Sequence, residues 1–418
     1  MDFFTRICIL SLLSVISIQL ISADPNTFNV QDYGAVGDQK TDDSWAFLKA
    51  WNATCSATTG TATMIIPKGK TFLVYPITFW GPCKSTTVYV TLSGTVKAPE
   101  DPSAWKDHDV GKWLEFQGIN GLNIDGYGQL DGSGQKWWDQ SCKLNPGKGG
   151  CTKLAPTVLG FRECKNVNMS HIFVISSPQT HILVLGGENV YLKDLTIRSP
   201  GTSPNTDGIH ISHSNNVLVD GSFIESGDDC VSIGDASMNI HVSYCECELG
   251  HGVSIGSLGR SGNEVLVENI TVEHVNFNQT SNGGRIKTWQ VGRGQVRNVE
   301  FSYLNFTNVQ NPIIIDQYYC DVAHNPIIID QYYCDVAHAC KGTKTGVKIS
   351  DVRYIKAFGT STTPVAINLN CSNIVPCTGI TFEDVQLESA SSNGQVTSSC
   401  NNAFGNTKGI IKPNSCLK

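Results

Sequence analysis

The sequence is poor in charge: Asp, Glu, Lys and Arg make up only 16% of its 418 residues, and nowhere do Lys and Arg gather into a basic stripe. Together with a formal net charge of −7, this argues against a nucleic-acid partner and leaves any polyanionic ligand to be held by a few local cations. Beyond the N-terminal region no run is long and apolar enough to cross a bilayer, so no membrane partner is expected. No pair of CxxC knuckles is present, which removes the usual sequence signature of a zinc site. No Pro/Ser-rich linker or charge block divides the chain either. Residues 24–418 therefore read as one large domain.

What is present points to secretion and to β-structure. The chain opens MDFFTRICILSLLSVISIQLISADP, with one Arg, an apolar run from Ile7 to Ile21, and a small-residue step before a polar stretch. That pattern predicts a signal peptide over residues 1–23 and a secreted, extracellular product. Glycine reaches 40 copies, a balance that favours a turn-rich β fold over a helical one. Sixteen cysteines occur, one of them in the signal. In an oxidising compartment the close pairs Cys142/Cys151, Cys371/Cys377 and Cys400/Cys416 read as disulfides. Sequons at Asn52, Asn168, Asn269, Asn278, Asn305 and Asn370 suit a secreted glycoprotein.

The middle of the chain repeats itself. "NVYLKDLTI" from Asn189, "NVLVDGSFI" from Asn216, "NIHVSYCEC" from Asn239 and "EVLVENITV" from Glu264 are short β-branched runs bounded by Gly, Asn or Ser. A second strand type alternates with them: "DGIHI" from Asp207, "DCVSI" from Asp229 and "HGVSI" from His251, at a step of 22 residues. A fixed period of this length signals a solenoid whose units bury their apolar faces only by stacking. Strands without intervening helices predict an all-β, right-handed parallel β-helix. Near the start, "TDDSWAFLKAWNATC" carries a Thr41/Asp42 cap and Trp45, Leu48 and Trp51 at helical spacing. A helix there would cap the open N-terminal end of the stack.

In a solenoid, equivalent residues of successive coils lie about 4.8 Å apart. Asp207, Asp229 and His251 then form a ladder on one surface, with Asp228 beside it. A single Asp at a corner is readily explained by turn hydrogen bonding, but four titratable groups in register are not. Gly227 could release the alternation that would send Asp228 and Asp229 to opposite faces. Crowded carboxylates push each other's pKa values apart, so one residue type can supply both an acid and a base. Further on, "GGRIKTW" puts Arg285 and Lys287 at i and i+2 of a strand, a cationic pair suited to an anionic substrate group. "GVSIG" at 252–256 matches a nucleophile elbow but lies in a repeat strand, so Ser254 is not read as a nucleophile. "GSLGRSG" at 256–262 lacks the Lys-Ser/Thr of a phosphate loop. His210, His213 and His241 have no partner visible in the sequence and read as strand or turn polars.

Four ordered motifs, Asn205-Thr206-Asp207, Gly227-Asp228-Asp229, Gly250-His251-Gly252 and Arg285-Ile286-Lys287, resemble the signature of the polygalacturonases of glycoside hydrolase family 28, nearest to secreted plant members. The resemblance runs from about Phe28 to the C-terminus. It implies a right-handed parallel β-helix and inverting hydrolysis of α-1,4-galacturonan, with pectin or homogalacturonan as the polymeric partner. Asp228 would be the general acid, kept protonated by the charge beside it. Asp207 and Asp229 would activate water across a gap of roughly 6.5–9.5 Å. His251 would set the protonation of the acid, Arg285 and Lys287 would grip the galacturonate carboxylate, and Asn205 would assist in the groove. No metal or cofactor is called for, and a monomer is expected.

One feature departs from that pattern. "NPIIIDQYYCDVAH" at 311–324 is repeated without change at 325–338, which looks like a recent duplication or an error in the gene model. The family places a substrate-contacting Tyr just before that Cys, so the role could fall to Tyr319 or Tyr333. Spacing from Arg285 favours Tyr319 for the groove, while proximity favours Cys334 for pairing with Cys340, leaving Cys320 free. Two alternatives remain open to experiment: a Ca-dependent lyase on the same scaffold, and a wall-polysaccharide-binding β-helix without turnover.

Overall fold

The computed structural model describes residues 26–58, 60–141, 143, 144, 155–319 and 344–418. The expected signal segment, the Cys142/Cys151 pair, Tyr333, Cys320 and the Cys334/Cys340 pair lie outside them. The two interleaved strand types of the sequence fall into two different sheets. The longer runs stack in parallel, Glu188–Lys193 on Asn215–Asp220, then Ser237–Ser243, then Glu264–Glu273, within a 22-stranded array. The shorter runs lie in an 11-stranded parallel sheet, which includes β1 (Ile209–Ser212), β2 (Val231–Ile233), β3 (Val253–Leu258), β4 (Asn282–Thr288) and β5 (Asn311–Asp316) as consecutive neighbours. Winding from one array to the other and back, coil after coil, makes the predicted right-handed parallel β-helix.

The register explains why the repeats look as they do. Ile211 pairs with Ile233, Ile233 with Ile255, Ile255 with Ile286, and Ile286 with Ile315, so one apolar ladder runs up the interior. All five are fully buried, and each contributes about 1.5–3 kcal/mol over an exposed side chain. The Asn that recurs in each longer run has a separate cause. Asn166, Asn189, Asn216, Asn239, Asn269 and Asn298 all take a left-handed backbone, φ between 51° and 59°, which Asn tolerates better than most residues. Their amides also bond from coil to coil: Asn189 donates to Asn166 at 2.9 Å, Asn216 to Asn189 at 2.7 Å, and Asn269 to Asn239 at 3.0 Å.

The N-terminal helix forms as α1 (Ser44–Ser56), with the Asp42 carboxylate accepting the Ser44 N–H at 2.9 Å. Its buried face differs from the expected one. Phe47, Ala50, Trp51 and Thr54 point inward, whereas Trp45 is 65% exposed. The Trp51 ring lies 5.3 Å from both Phe79 and Phe116, so the helix does plug the end of the stack. Cys55 of this helix is bonded to Cys83, a pairing too distant in sequence to be suspected. The expected Cys371–Cys377 and Cys400–Cys416 bridges are present. Cys164, Cys230, Cys245 and Cys247 are buried thiols.

Beyond the tandem copy the stack continues in step. Val253 pairs with Gly284 and Gly284 with Ile313, but the next partner of Ile313 is Ile367. The described strands on the two sides of the tandem copy therefore keep one register.

Candidate active site

The 11-stranded sheet collects the site residues because each sits on, or within a few residues of, one of five adjacent strands. Asp207 lies two residues ahead of β1, and Asp228 and Asp229 are in the bend leading to β2. His251 precedes β3, Arg285 and Lys287 are on β4, and Tyr319 follows β5. The bend at Ser226-Gly227-Asp228-Asp229 frees both carboxylates from strand alternation. Gly227 is not there for a left-handed backbone, since it is absent from the positive-φ glycines. It is there because a Cβ would stand 2.0 Å from the Ser203 carbonyl oxygen. Its own N–H donates to Thr206 Oγ1 at 2.9 Å, so the middle residue of Asn205-Thr206-Asp207 pins the bend of the next coil.

Asp228 is held almost entirely through one oxygen. The Asp229 N–H donates to Asp228 Oδ1 at 2.9 Å, and His251 Nδ1 stands 2.9 Å from the same atom. Asp228 Oδ2 faces Lys143 Nζ at 3.6 Å. The step of 22 residues does stack the coils, but His251 reaches Asp228 and not the Asp229 of the expected ladder. Asp229 is gripped from three sides. Its Oδ1 accepts from Ser254 Oγ at 2.8 Å and Arg285 Nη2 at 2.7 Å, while Oδ2 accepts from Lys287 Nζ at 2.9 Å. Arg285 Nε also donates to Ser254 Oγ at 2.8 Å. The cationic pair expected to grip substrate therefore already neutralises a carboxylate. The Tyr319 ring lies 5.3 Å from Lys287 Nζ and packs edge-on to Trp289. Asn205 sits half-buried two residues before Asp207, with φ 57°.

These partners sort the carboxylates in a way the sequence does not suggest. Burial raises the proton affinity of Asp207, and the charges of Asp228 and Asp229 raise it further, to well above the ordinary carboxylate range. Burial acts on Asp228 in the same direction, but His251, Lys143 and Lys287 outweigh it and hold that group well below the range. Burial is likewise overcome at Asp229 by Lys287 and Arg285. Of the three carboxyls, Asp207 therefore has the highest proton affinity. The expectation that repulsion keeps Asp228 protonated is corrected: the repulsion falls on Asp207, whose carboxylate is met by the neutral Ser232 hydroxyl.

Four further residues belong to the site. Ser232 on β2 donates to Asp207 Oδ2 at 2.8 Å and lies 2.7 Å from His210 Nδ1, so His210 is part of the network and not an idle strand polar. Burial pushes the His210 imidazole down to about 4, which keeps it neutral. Ser254 serves as a hydrogen-bonding bridge to Asp229, in agreement with its rejection as a nucleophile. Lys143 arrives from outside the repeats, in the turn after α2 (Gln135–Asp139). His241 pairs with Glu273 at 2.8 Å and His213 with Ser212 at 2.9 Å, so neither serves this cluster.

One atom each of Asp228, Asp229 and His251 lies within 4.8 Å of the other two. Asp228 and Asp229 are thus closer than the wide acid–base gap expected from the resemblance, and spacing alone does not fix the stereochemical outcome. What the arrangement offers is an acid whose Oδ1 is saturated by N–H donors, an ionised neighbour clamped by two cations, and a third carboxyl with high proton affinity.

The family model for glycosyl hydrolases family 28 matches residues 55–324 and 321–410, breaking at the tandem copy. The chain is 39% identical over 391 residues to polygalacturonase QRT2 of Arabidopsis thaliana, covering 94% of this chain and 84% of that protein. It is 39% identical over 409 residues to a polygalacturonase of Prunus persica, covering 98% of each. Among solved structures it resembles an endo-xylogalacturonan hydrolase of Aspergillus tubingensis with a TM-score of 0.74 at 24% identity, over 92% of this chain and 98% of that one.

Proposed function

The chain belongs to the glycosyl hydrolases of family 28, and from that membership together with the geometry of its site we propose that it is a polygalacturonase cleaving α-1,4-galacturonosidic bonds in homogalacturonan by inversion. The observation that carries the reading is the asymmetric environment of Asp228. Two N–H donors occupy Oδ1, leaving Oδ2 as the atom that carries and delivers a proton. A carboxylic acid bound in this way is oriented for general acid catalysis on the glycosidic oxygen.

Asp207 serves as the base: its raised proton affinity suits it to take a proton from water once it is ionised. Asp229, kept ionised by Arg285 and Lys287, offsets positive charge that develops on the sugar ring. Arg285, Lys287, Tyr319 and Asn205 contact the galacturonate, and His251 orients the acid. The productive form therefore has its proton on Asp228 and not on Asp207, the carboxyl of higher proton affinity. The chain acts as a secreted monomer on wall pectin, without nucleic-acid or membrane partners and without metal or cofactor. Three disulfides among the described residues support an oxidising destination, and no helix among them is long and apolar enough to cross a membrane.

The test is to incubate the protein with de-esterified polygalacturonate and a chelator, following new reducing ends and the anomeric proton signals. New reducing ends with the β-anomer formed first are expected. An unsaturated, ultraviolet-absorbing product that disappears with chelator indicates a lyase instead, and binding without product indicates a wall-binding protein.

A further inference from the structure

Lys143 is the cation at the site that the four motifs do not supply. It follows α2, which is anchored to the stack. Trp138 of that helix is buried and donates its indole N–H to the Ser177 carbonyl at 2.9 Å. The Ser141 N–H then donates to the Trp138 carbonyl at 2.9 Å, and the Lys143 N–H to Ser141 Oγ at 3.3 Å. Its ammonium ends 3.6 Å from Asp228 Oδ2, the oxygen left for the transferable proton.

Lys143 differs from the other two cations in both distance and exposure. Arg285 and Lys287 lie 2.7 and 2.9 Å from Asp229, and their side chains are only 11% and 7% exposed. The Lys143 side chain is 21% exposed, and its contact with Asp228 is longer than a hydrogen bond. A sugar oxygen that is to receive the proton must approach Oδ2 and so enter the space that Lys143 faces. In galacturonan that sugar carries its own carboxylate.

We propose that Lys143 exchanges partners during binding, leaving Asp228 Oδ2 to pair with the carboxylate of the galacturonate unit on the leaving-group side of the scissile bond. The exchange rests on the polygalacturonase reading and adds to it a substrate-binding residue that also controls when the acid is charged. Other groups face Asp228 as well: His251 ahead of β3, Asp229 in the same bend, Asp207 ahead of β1, and Lys287 and Arg285 on β4. None of these cations need leave when substrate enters, because His251 occupies the other oxygen and the β4 pair is bound to Asp229. Removal of Lys143 from Oδ2 takes away one of the charges that hold Asp228 ionised, which moves the proton toward the acid.

Lys143→Met separates this from a structural role. With oligogalacturonide as substrate, KM should rise about tenfold or more while kcat changes much less, and Lys143→Arg should restore most of the loss. In the free enzyme the variant lacks the cation at Asp228, whose proton affinity lies below that of Asp207, so the acid limb of kcat/KM should move to higher pH. The acid limb of kcat should stay in place, because in the wild-type complex Lys143 has already left. An unchanged KM, or a raised KM with no movement of the kcat/KM limb, overturns the exchange, as does a fall in Tm as the sole effect. Wild-type protein inactive on polygalacturonate would instead sink the polygalacturonase reading itself.

Discussion

Replacing Gly227 by Ala tests whether the bend that carries the acid is set by backbone proximity. The added methyl would lie 2.0 Å from the Ser203 carbonyl oxygen and 2.9 Å from its carbonyl carbon and amide nitrogen, all backbone atoms that cannot swing aside. Ordinary contact needs about 3.4 Å or more, so one coil must move against the other by more than about 1 Å. Overpacking of this kind costs about 1–3 kcal/mol. The lost flexibility of the unfolded chain returns only about 0.4–1 kcal/mol, so a net loss of stability is expected. The functional effect should be larger. The displaced segment carries the Gly227 N–H bond to Thr206 and, one residue on, Asp228 opposite His251. A shift of about 1 Å in a reacting group lowers turnover about 100-fold, or about 2.7 kcal/mol in the barrier. Reducing-end release at saturating polygalacturonate gives kcat, and thermal unfolding of the same sample gives Tm. A Gly227→Ala protein with wild-type kcat and Tm would refute the claim that close approach, and not backbone conformation, demands glycine here.

Asp228→Asn keeps the shape of the site but has no proton to give, and kcat should fall by about 10²–10⁴ with the fold intact by circular dichroism. Asp207→Asn should also stop turnover yet stabilise the protein near neutral pH. The raised proton affinity of Asp207 in the fold means its contribution is complete below the unfolded carboxylate value near pH 4 and is lost as pH rises through the native value. A gain of about 0.5–2 kcal/mol at pH 7, shrinking toward pH 3.5, is therefore expected by denaturant titration, and an equal gain at both pH values would contradict it. Deleting residues 325–338 should leave kcat within about twofold, because the first copy supplies both β5 and Tyr319 and the later coils keep register. Loss of activity in that deletion would show that the second copy contributes to the groove.

The parts of this protein legible in its sequence are those written as repetition. A step of 22 residues between Asp207, Asp229 and His251 is enough to infer a solenoid and a shared surface, because coil stacking converts sequence period into spatial neighbourhood. Side-chain partners are a different matter. Period places His251 beside Asp229, yet the bend turns Asp228 toward His251 and turns Asp229 toward Arg285 and Lys287. The pairing reverses the proton inventory, since adjacency in sequence suggested that Asp228 and Asp229 would compete for a proton, whereas separate cations satisfy both and leave the cost to Asp207. Cys55–Cys83 and Lys143 were invisible for the same reason: each depends on an element outside the repeats, α1 in one case and the turn after α2 in the other, and no period relates those elements to the coils they meet. Ser232 and Ser254 were within reach, because Ile233 and Ile255 next to them are in the apolar ladder and alternation turns their neighbours outward, into the site. Local alternation thus locates the groove-facing positions, but which carboxylate carries the proton is decided by cations that arrive from other coils.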